Sequence, residues 1–155
     1  MASKPDYIRW LRGQVGTAPI QLNFAAACIR DGDRVLLQQR ADHRAWGFPG
    51  GAIELGESAA EAVIREVHEE TGLEVRVESL LGVYTKYQHT YPNGDVAQTI
   101  TVFFCCTPVG GLIHDGDAET LQLQYFPIDS TPPLFNEQHR DARADLLAGR
   151  SGVYR

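Results

Sequence analysis

The sequence predicts a mixed α/β (α+β) sandwich, and three observations carry that expectation. Strand-like and helix-like segments interleave without the regular β-α-β period of a doubly wound sheet. The turn Tyr91-Pro-Asn-Gly-Asp95 separates two long runs of strand composition, a hairpin signature. Residues 58–71 carry complete helix start and stop signals. With 155 residues, 43% hydrophobic and 22% charged, the chain has the composition of one packed domain, not of a disordered or disulfide-stapled one.

Residues 6–12 place Tyr7, Trp10 and Leu11 on one side of a short helix, with Gly13 and Gly16 available to end it. Residues 1–19 are therefore read as a short N-terminal helical extension and 20–155 as a single domain. Residues 22–29 and 35–39 are apolar strands joined at Arg30-Asp-Gly-Asp33. The loop 41–51 holds His43, Arg44, Trp46, Phe48 and the breaker Pro49-Gly50-Gly51. In the helix 58–71, Ser58 caps, Glu61 completes a capping box and Gly72 stops it, while Ala59, Ala62, Val63 and Val67 recur at helical spacing. Residues 74–88 and 96–109 are the hairpin strands, and 121–128 alternates as a half-buried strand. Residues 136–147 read as a further helix, capped by Asn136, with Ala142, Leu146 and Leu147 inward.

Fourteen Lys and Arg against twenty Asp and Glu leave a net charge of -6, which argues against binding a nucleic-acid polymer or an anionic membrane. A phosphate-bearing ligand would need local positive charge, from side chains or from a bound cation. Cys28, Cys105 and Cys106 lack metal-ligand spacing and read as core residues of a reduced compartment, the adjacent pair on opposite strand faces. No apolar leader opens the chain and no run approaches the ~20 apolar residues that span a bilayer, so a cytoplasmic location is expected.

The chemistry concentrates on the helix 58–71. At ~100° per residue, Glu69 and Glu70 lie ~60° and ~40° to either side of Glu66, so the three carboxylates share a face and repel. A divalent cation would remove that penalty, and an all-oxygen donor set suits Mg²⁺ or Mn²⁺ rather than zinc. Gly50 and Gly51 allow close main-chain approach just before the helix, where a carbonyl could join the metal shell. Such a cation, completing its shell with substrate phosphates beside a carboxylate that takes a proton from water, points to metal-assisted hydrolysis of a phosphate anhydride.

Gly51, five residues, Glu57, seven residues, then Arg65-Glu66-Val67-His68-Glu69-Glu70-Thr71-Gly72-Leu73 resembles a complete Nudix box, covering residues 51–73. The resemblance implies a Nudix-type α/β/α sandwich with a mixed central sheet. It also implies a hydrolase dependent on Mg²⁺ or Mn²⁺, and a small nucleotide substrate in which a nucleoside diphosphate is linked to another group. Position by position, Glu66, Glu69 and Glu70 match the family's metal-binding carboxylates, and the Gly50 carbonyl a frequent main-chain ligand. Arg65 and Glu57 match a bracing pair. Glu66 is the first choice of base; a further carboxylate from a later loop is expected at Glu119, with Asp115 and Asp117 as weaker candidates, and Glu119 is the alternative base.

For substrate contacts the resemblance points to Arg40 on phosphate, Tyr91 or Phe48 stacking on a base, and Asn136 reading a base edge. Each has a plainer reading: a solvated Arg, hairpin cross-strand pairs, a core plug like Trp46, and a helix cap. Arg44 and Lys86 are weaker phosphate candidates, and Tyr87 and His89 share the hairpin. His68 reads as solvated surface, while His114 and His139 have no evident partner. The ADP-ribose branch's Pro some fifteen residues past the box is absent, with Gln88 and His89 in that region. A homodimer is compatible with this reading. The rival is a non-catalytic Nudix-like module that binds a nucleotide to sense it or to regulate a partner.

Overall fold

The computed structural model describes residues 6–114 and 118–155. In chain order the elements are α1 Tyr7–Val15, β1 Ile20–Asp31, β2 Arg34–Arg40, β3 Trp46–Gly47, β4 Gly50–Ala52, α2 Ala59–Thr71, β5 Leu73–Thr90, β6 Val96–Gly111, β7 Thr120–Pro127, α3 Glu137–Leu147 and β8 Val153–Tyr154. The mixed sheet with helices is the α/β arrangement the sequence predicts. Among the described residues no helix is long and apolar enough to cross a membrane.

The central strand is β1. One edge pairs in parallel with β6, from Ile20 opposite Ala97 to Ile29 opposite Cys106, and β6 pairs antiparallel with β5 through the expected hairpin. The other edge pairs antiparallel with the short β4, while the end of β1 turns into β2, which carries β3 and β7. Strand periodicity splits β1 between two cores. Ala25, Ala27 and Ile29 pack with Ala62, Val63 and Val67 of α2, whereas Ala26 and Cys28 pack with Ala142 and Leu146 of α3. Small residues in the middle of β1 let the helix faces sit close. Cys106 joins the α2 core and Cys105 packs against the α3 core, on opposite faces as the sequence implies.

The helix ends follow their sequence signals. Ser58 and Glu61 form the reciprocal capping box, and Gly72 closes α2 at φ 81°, a left-handed conformation that glycine adopts without strain. Asp6 caps α1, which runs through Gly13 and ends at Gly16. Asn136 caps α3, accepting from the His139 N–H at 2.8 Å. Residues 41–51, expected as a loop, contain β3 and the start of β4, since Gly47, Gly50 and Gly51 let the chain lie close against its neighbours. Leu147, expected inward, is exposed because its position on α3 falls outside the stripe formed by Ala142 and Leu146, and the two-residue β8 carries no sequence signal.

That last strand is anchored by charge rather than by apolar pattern. Asp145 of α3 is fully buried, accepts from Tyr84 Oη at 2.7 Å, and pairs with Arg150 and Arg155 at 2.8 Å each. The Arg155 bond, with those of Tyr84 and Arg150, holds the carboxyl well below the usual Asp value of 3.8. A depressed folded pKa means stability that is present above the unfolded value and lost as pH falls through the folded one. Asp145→Asn is therefore expected to cost about 2 kcal/mol at neutral pH, with the gap in Tm from the unsubstituted protein narrowing on acidification below 3.8. A gap that stays constant with pH in thermal melts would contradict this role.

Candidate active site

A cleft of about 670 Å³ opens beside β1, and its wall includes Gly50, Gly51, Glu66, Glu70, Arg40 and Glu119. Three separate elements and a loop thus meet there. α2 delivers Glu66 and Glu70, β4 the glycines, β2 ends at Arg40, and Glu119 precedes β7. Ile8 of α1 and its cap Asp6 also line the cleft.

Glu70 is only 5% exposed and accepts the Gly50 N–H at 2.9 Å. Burial, reinforced by the neighbouring Glu66 charge, pushes its carboxyl up to about 8 despite the Gly50 bond and the pull of Arg40. Glu66 is also raised, chiefly by burial and further by Glu69 and Glu119, against the opposing effect of Arg65. Arg65 braces this acidic wall. It donates to both Glu57 oxygens at 2.7 and 2.9 Å, to Glu66 Oε1 at 2.8 Å and to the Ala52 carbonyl at 3.1 Å. Glu57 in turn accepts the Glu54 N–H at 3.0 Å, so the fork ties α2 to the loop in front of it. The fixed planar donor set of Arg suits such multiple contacts.

Glu69 stands apart. Its side chain is 57% exposed, contacts Arg65 at 3.3 Å, and is not part of the cleft wall. Among the described residues no three His, Cys, Asp or Glu side chains converge into a metal-binding group. The physical reason is the repulsion anticipated from the sequence: Glu66 turns to Arg65, Glu70 to the Gly50 amide, and Glu69 to solvent. The donor chemistry nevertheless fits a hard cation, because one buried and one half-buried carboxylate, mutually repelling beside closely packed glycines, are destabilised by their own charge.

The glycines are there for space. A Cβ on Gly51 would lie 2.3 to 2.6 Å from the Glu66 carboxylate, and one on Gly50 would lie 2.2 Å from the Ala25 carbonyl oxygen. The first clash is with the end of a flexible side chain, the second with β1 main chain. Gly51→Ala should therefore fold with little change in Tm yet displace the Glu66 carboxylate and lower turnover at least tenfold, whereas Gly50→Ala should lower Tm outright. Equal effects of the two substitutions on stability would contradict this packing.

The remaining candidates distribute as follows. Arg40 lines the cleft and approaches Asp42 at 3.4 Å. Tyr91 lines it at 40% exposure. Phe48 also reaches the wall but is 3% exposed, edge-on to Phe103 and stacked with His139, so its ring belongs to the core. Trp46 packs against Phe126 in that core. Asn136 borders the cleft with its Oδ1 committed to the helix cap. Lys86, Tyr87 and His89 line an adjoining compartment of about 410 Å³ that shares His89 and Asn136 with the main cleft. Arg44 and His68 are exposed and outside both. His114 Nε2 lies 3.4 Å from the Glu69 carbonyl. Asp115 and Asp117 lie outside the described residues.

Sequence reasoning passed over Gln38 and gave His139 no role. Gln38 of β2 is fully buried, donates to Thr120 Oγ1 at 2.6 Å and favours the charged form of Glu70. A Gln following Leu36 on the same strand face, two residues before Arg40, was the available signal. His139 is 7% exposed and accepts the Phe48 N–H at Nδ1; its spacing from Ala142 and Leu146 marks the inward stripe of α3.

The NUDIX domain family model matches residues 19–146. An ADP-ribose pyrophosphatase of Methanocaldococcus jannaschii is 37% identical over 127 residues, covering 80% of this chain and 72% of that protein. A MutT-like protein of Streptomyces ambofaciens is 36% identical over 128 residues, covering 83% and 77% respectively. Among solved structures, a NUDIX hydrolase from Nitrosomonas europaea superposes with a TM-score of 0.70 at 26% identity, covering 85% of this chain and 92% of that one.

Proposed function

Because the chain belongs to the Nudix family and is a pyrophosphohydrolase, we propose that it hydrolyses a phosphoanhydride bond in a nucleoside diphosphate derivative and depends on Mg²⁺ or Mn²⁺ to do so. The substrate class comprises nucleoside triphosphates, oxidised purine deoxynucleoside triphosphates among them, and nucleoside diphosphates linked to another group. The observation that carries this reading is the pair on one cleft wall of half-buried Glu66 and buried Glu70, with Glu70 raised to about 8. Relatives named as an ADP-ribose pyrophosphatase and a MutT-like protein support it.

A divalent cation held by Glu66, Glu70 and the Gly50 carbonyl, with Glu119 and Glu69 as further donors, would supply Lewis-acid polarisation of the phosphoryl oxygens. Arg40 places a cationic group at the same end of the cleft, where it faces substrate phosphate. Arg65 and Glu57 fix the rotamer of Glu66 so that its carboxylate stays on the wall. Glu66 is the proposed base: burial raises its basicity, which suits a group that must take a proton from the attacking water near neutral pH. Glu119, whose charge acts on Glu66, is the alternative.

The test is a Mg²⁺-supplemented panel of nucleoside triphosphates, nucleotide sugars, ADP-ribose and dinucleoside polyphosphates, scored for released phosphate, pyrophosphate or nucleoside monophosphate. At least one should turn over, and Glu66→Gln or Glu70→Gln should lower kcat on the order of a hundredfold or more with the fold intact. If Glu66 is the base, Glu119→Gln should retain over about a tenth of the activity. Silence across the panel with bound nucleotide would favour a sensing module over an enzyme.

A further inference from the structure

We propose that His139 determines base specificity in this cleft, its Nε2–H donating to a base carbonyl and so selecting 6-oxopurine nucleotides over adenine ones. This rests on the reading that the substrate is a nucleoside diphosphate derivative. The cleft lining is chemically mixed: Arg40, Glu66, Glu70 and Glu119 supply charge suited to binding a metal and phosphates, Asp6 and Asp42 add further carboxylates, and Thr99, Gln138 and His139 add neutral polar groups that a base can meet.

The proton on His139 can be placed by elimination. Its Nδ1 accepts the Phe48 N–H at 3.1 Å, and a main-chain amide can only donate, so Nδ1 carries no proton. Burial, with the nearby charges of Arg40, His89 and His43, pushes the imidazole down to about 3, which keeps the ring neutral at ordinary pH. Its single proton is therefore on Nε2. Nε2 has no partner among the described residues, nor is it one of the sealed unpartnered atoms among them, which are Gln38 Oε1 and His89 Nε2. It opens on the cleft that His139 lines.

The direction of that donor is fixed by packing. Phe135 lies 4.4 Å from the His139 ring, Phe103 meets it edge-on at 5.2 Å and Phe48 stacks at 5.8 Å. Gly47 closes the fourth side, since a Cβ there would come within 2.7 Å of Phe135 and 3.2 Å of His139 Nδ1. The same short segment sets the donor's distance from Glu70. Phe48 N–H holds His139 and Gly50 N–H holds Glu70, two residues apart and so about 7 Å along the chain.

Neighbouring amides do not compete for an incoming base. Gln138 donates to the Tyr84 and Thr99 carbonyls and accepts from Thr99 Oγ1, and Asn136 Oδ1 caps α3, leaving only donor hydrogens on the Asn136 amide. The two amides flanking His139 thus leave no free amide oxygen to pair with an amino group of a base. A 6-oxopurine presents the O6 acceptor where adenine presents the N6 amino donor, and donor facing donor leaves two groups unsatisfied in a partly dry site.

The experiment compares inosine and adenosine diphosphates by titration calorimetry in Mg²⁺, alongside hydrolysis of the matching triphosphates. The purine bases of each pair differ at position 6 and in the proton that the 6-oxo form carries on N1. The inosine ligand should bind on the order of ten- to a hundredfold more tightly. His139→Asn keeps an acceptor at the δ position for Phe48 N–H but removes the ε donor, so the ratio should collapse to within about twofold. His139→Gln restores an ε donor and loses the δ acceptor, so Tm should drop while the preference persists. Equal binding by the unsubstituted protein, an adenine preference, or an undiminished ratio in His139→Asn would overturn the proposal. If His139→Asn does not fold, a folded His139→Gln without preference overturns it instead. Turnover of both triphosphates without preference would sink base selection while leaving the hydrolase reading intact. Preference in binding without turnover would support His139 and direct the search for hydrolysis to the diphosphate-linked members of the panel, and failure to bind either diphosphate would overturn the proposal for His139 while the panel alone decides on hydrolysis.

Discussion

Two carboxylates on one wall of a narrow cleft, Glu66 and Glu70, impose the constraint to which the surrounding structure responds. Taking an ionised carboxylate out of water costs several kcal/mol even after relaxation, while one charge-assisted hydrogen bond returns about 1.5–3 kcal/mol. The Gly50 amide alone therefore cannot keep Glu70 fully ionised, and the carboxyl sits near 8. Glu66 has the larger share of positive charge through the Arg65 fork, and its rise is correspondingly tempered by that group. The wall is an acidic surface set against its own charge and held in place by a guanidinium, an amide and two missing Cβ atoms.

The sheet explains how such an arrangement is held. Alternating small residues along β1 let α2 and α3 approach opposite faces, and β4 can lie against β1 because Gly50 presents no side chain to the Ala25 carbonyl. The segment from Trp46 to Gly50 then links the two helices directly, gripping His139 of α3 at Phe48 and Glu70 of α2 at Gly50. Those two amides tie both helices to a segment that lines the cleft. Asp145, pinned between Tyr84, Arg150 and Arg155, secures the far end of α3 and so steadies the helix that carries His139.

Much of this was legible in the residues. Cap and stop signals placed α2, the Tyr91–Asp95 turn placed the β5–β6 hairpin, and the fixed spacing from Gly51 to Leu73 named the acidic helix and the Arg65–Glu57 brace before any fold was known. Helical angles alone put Glu66, Glu69 and Glu70 on one face, but a face is wider than a cleft, and tertiary packing left Glu69 in solvent. Gln38 went unremarked and His139 was left without a partner because their importance arises from partners 82 and 91 residues away in the chain. Phe48 shows the reverse: a ring next to a glycine turn reads as core or as stacking surface, and only the positions of Phe103 and His139 decide between them. The two-residue β8 follows from the ion pairs of Asp145, which carry no periodicity.

The most direct measurement of the central claim is the number of protons released when Mg²⁺ binds the metal-free protein at pH 7, obtained by calorimetry in buffers of different ionisation enthalpy. With Glu70 near 8 in the free protein, bringing a cation onto the acidic wall should expel close to one proton per ion, and Glu70→Gln should abolish the release. Magnesium uptake with no proton release would contradict the account, as would an absence of uptake at millimolar metal.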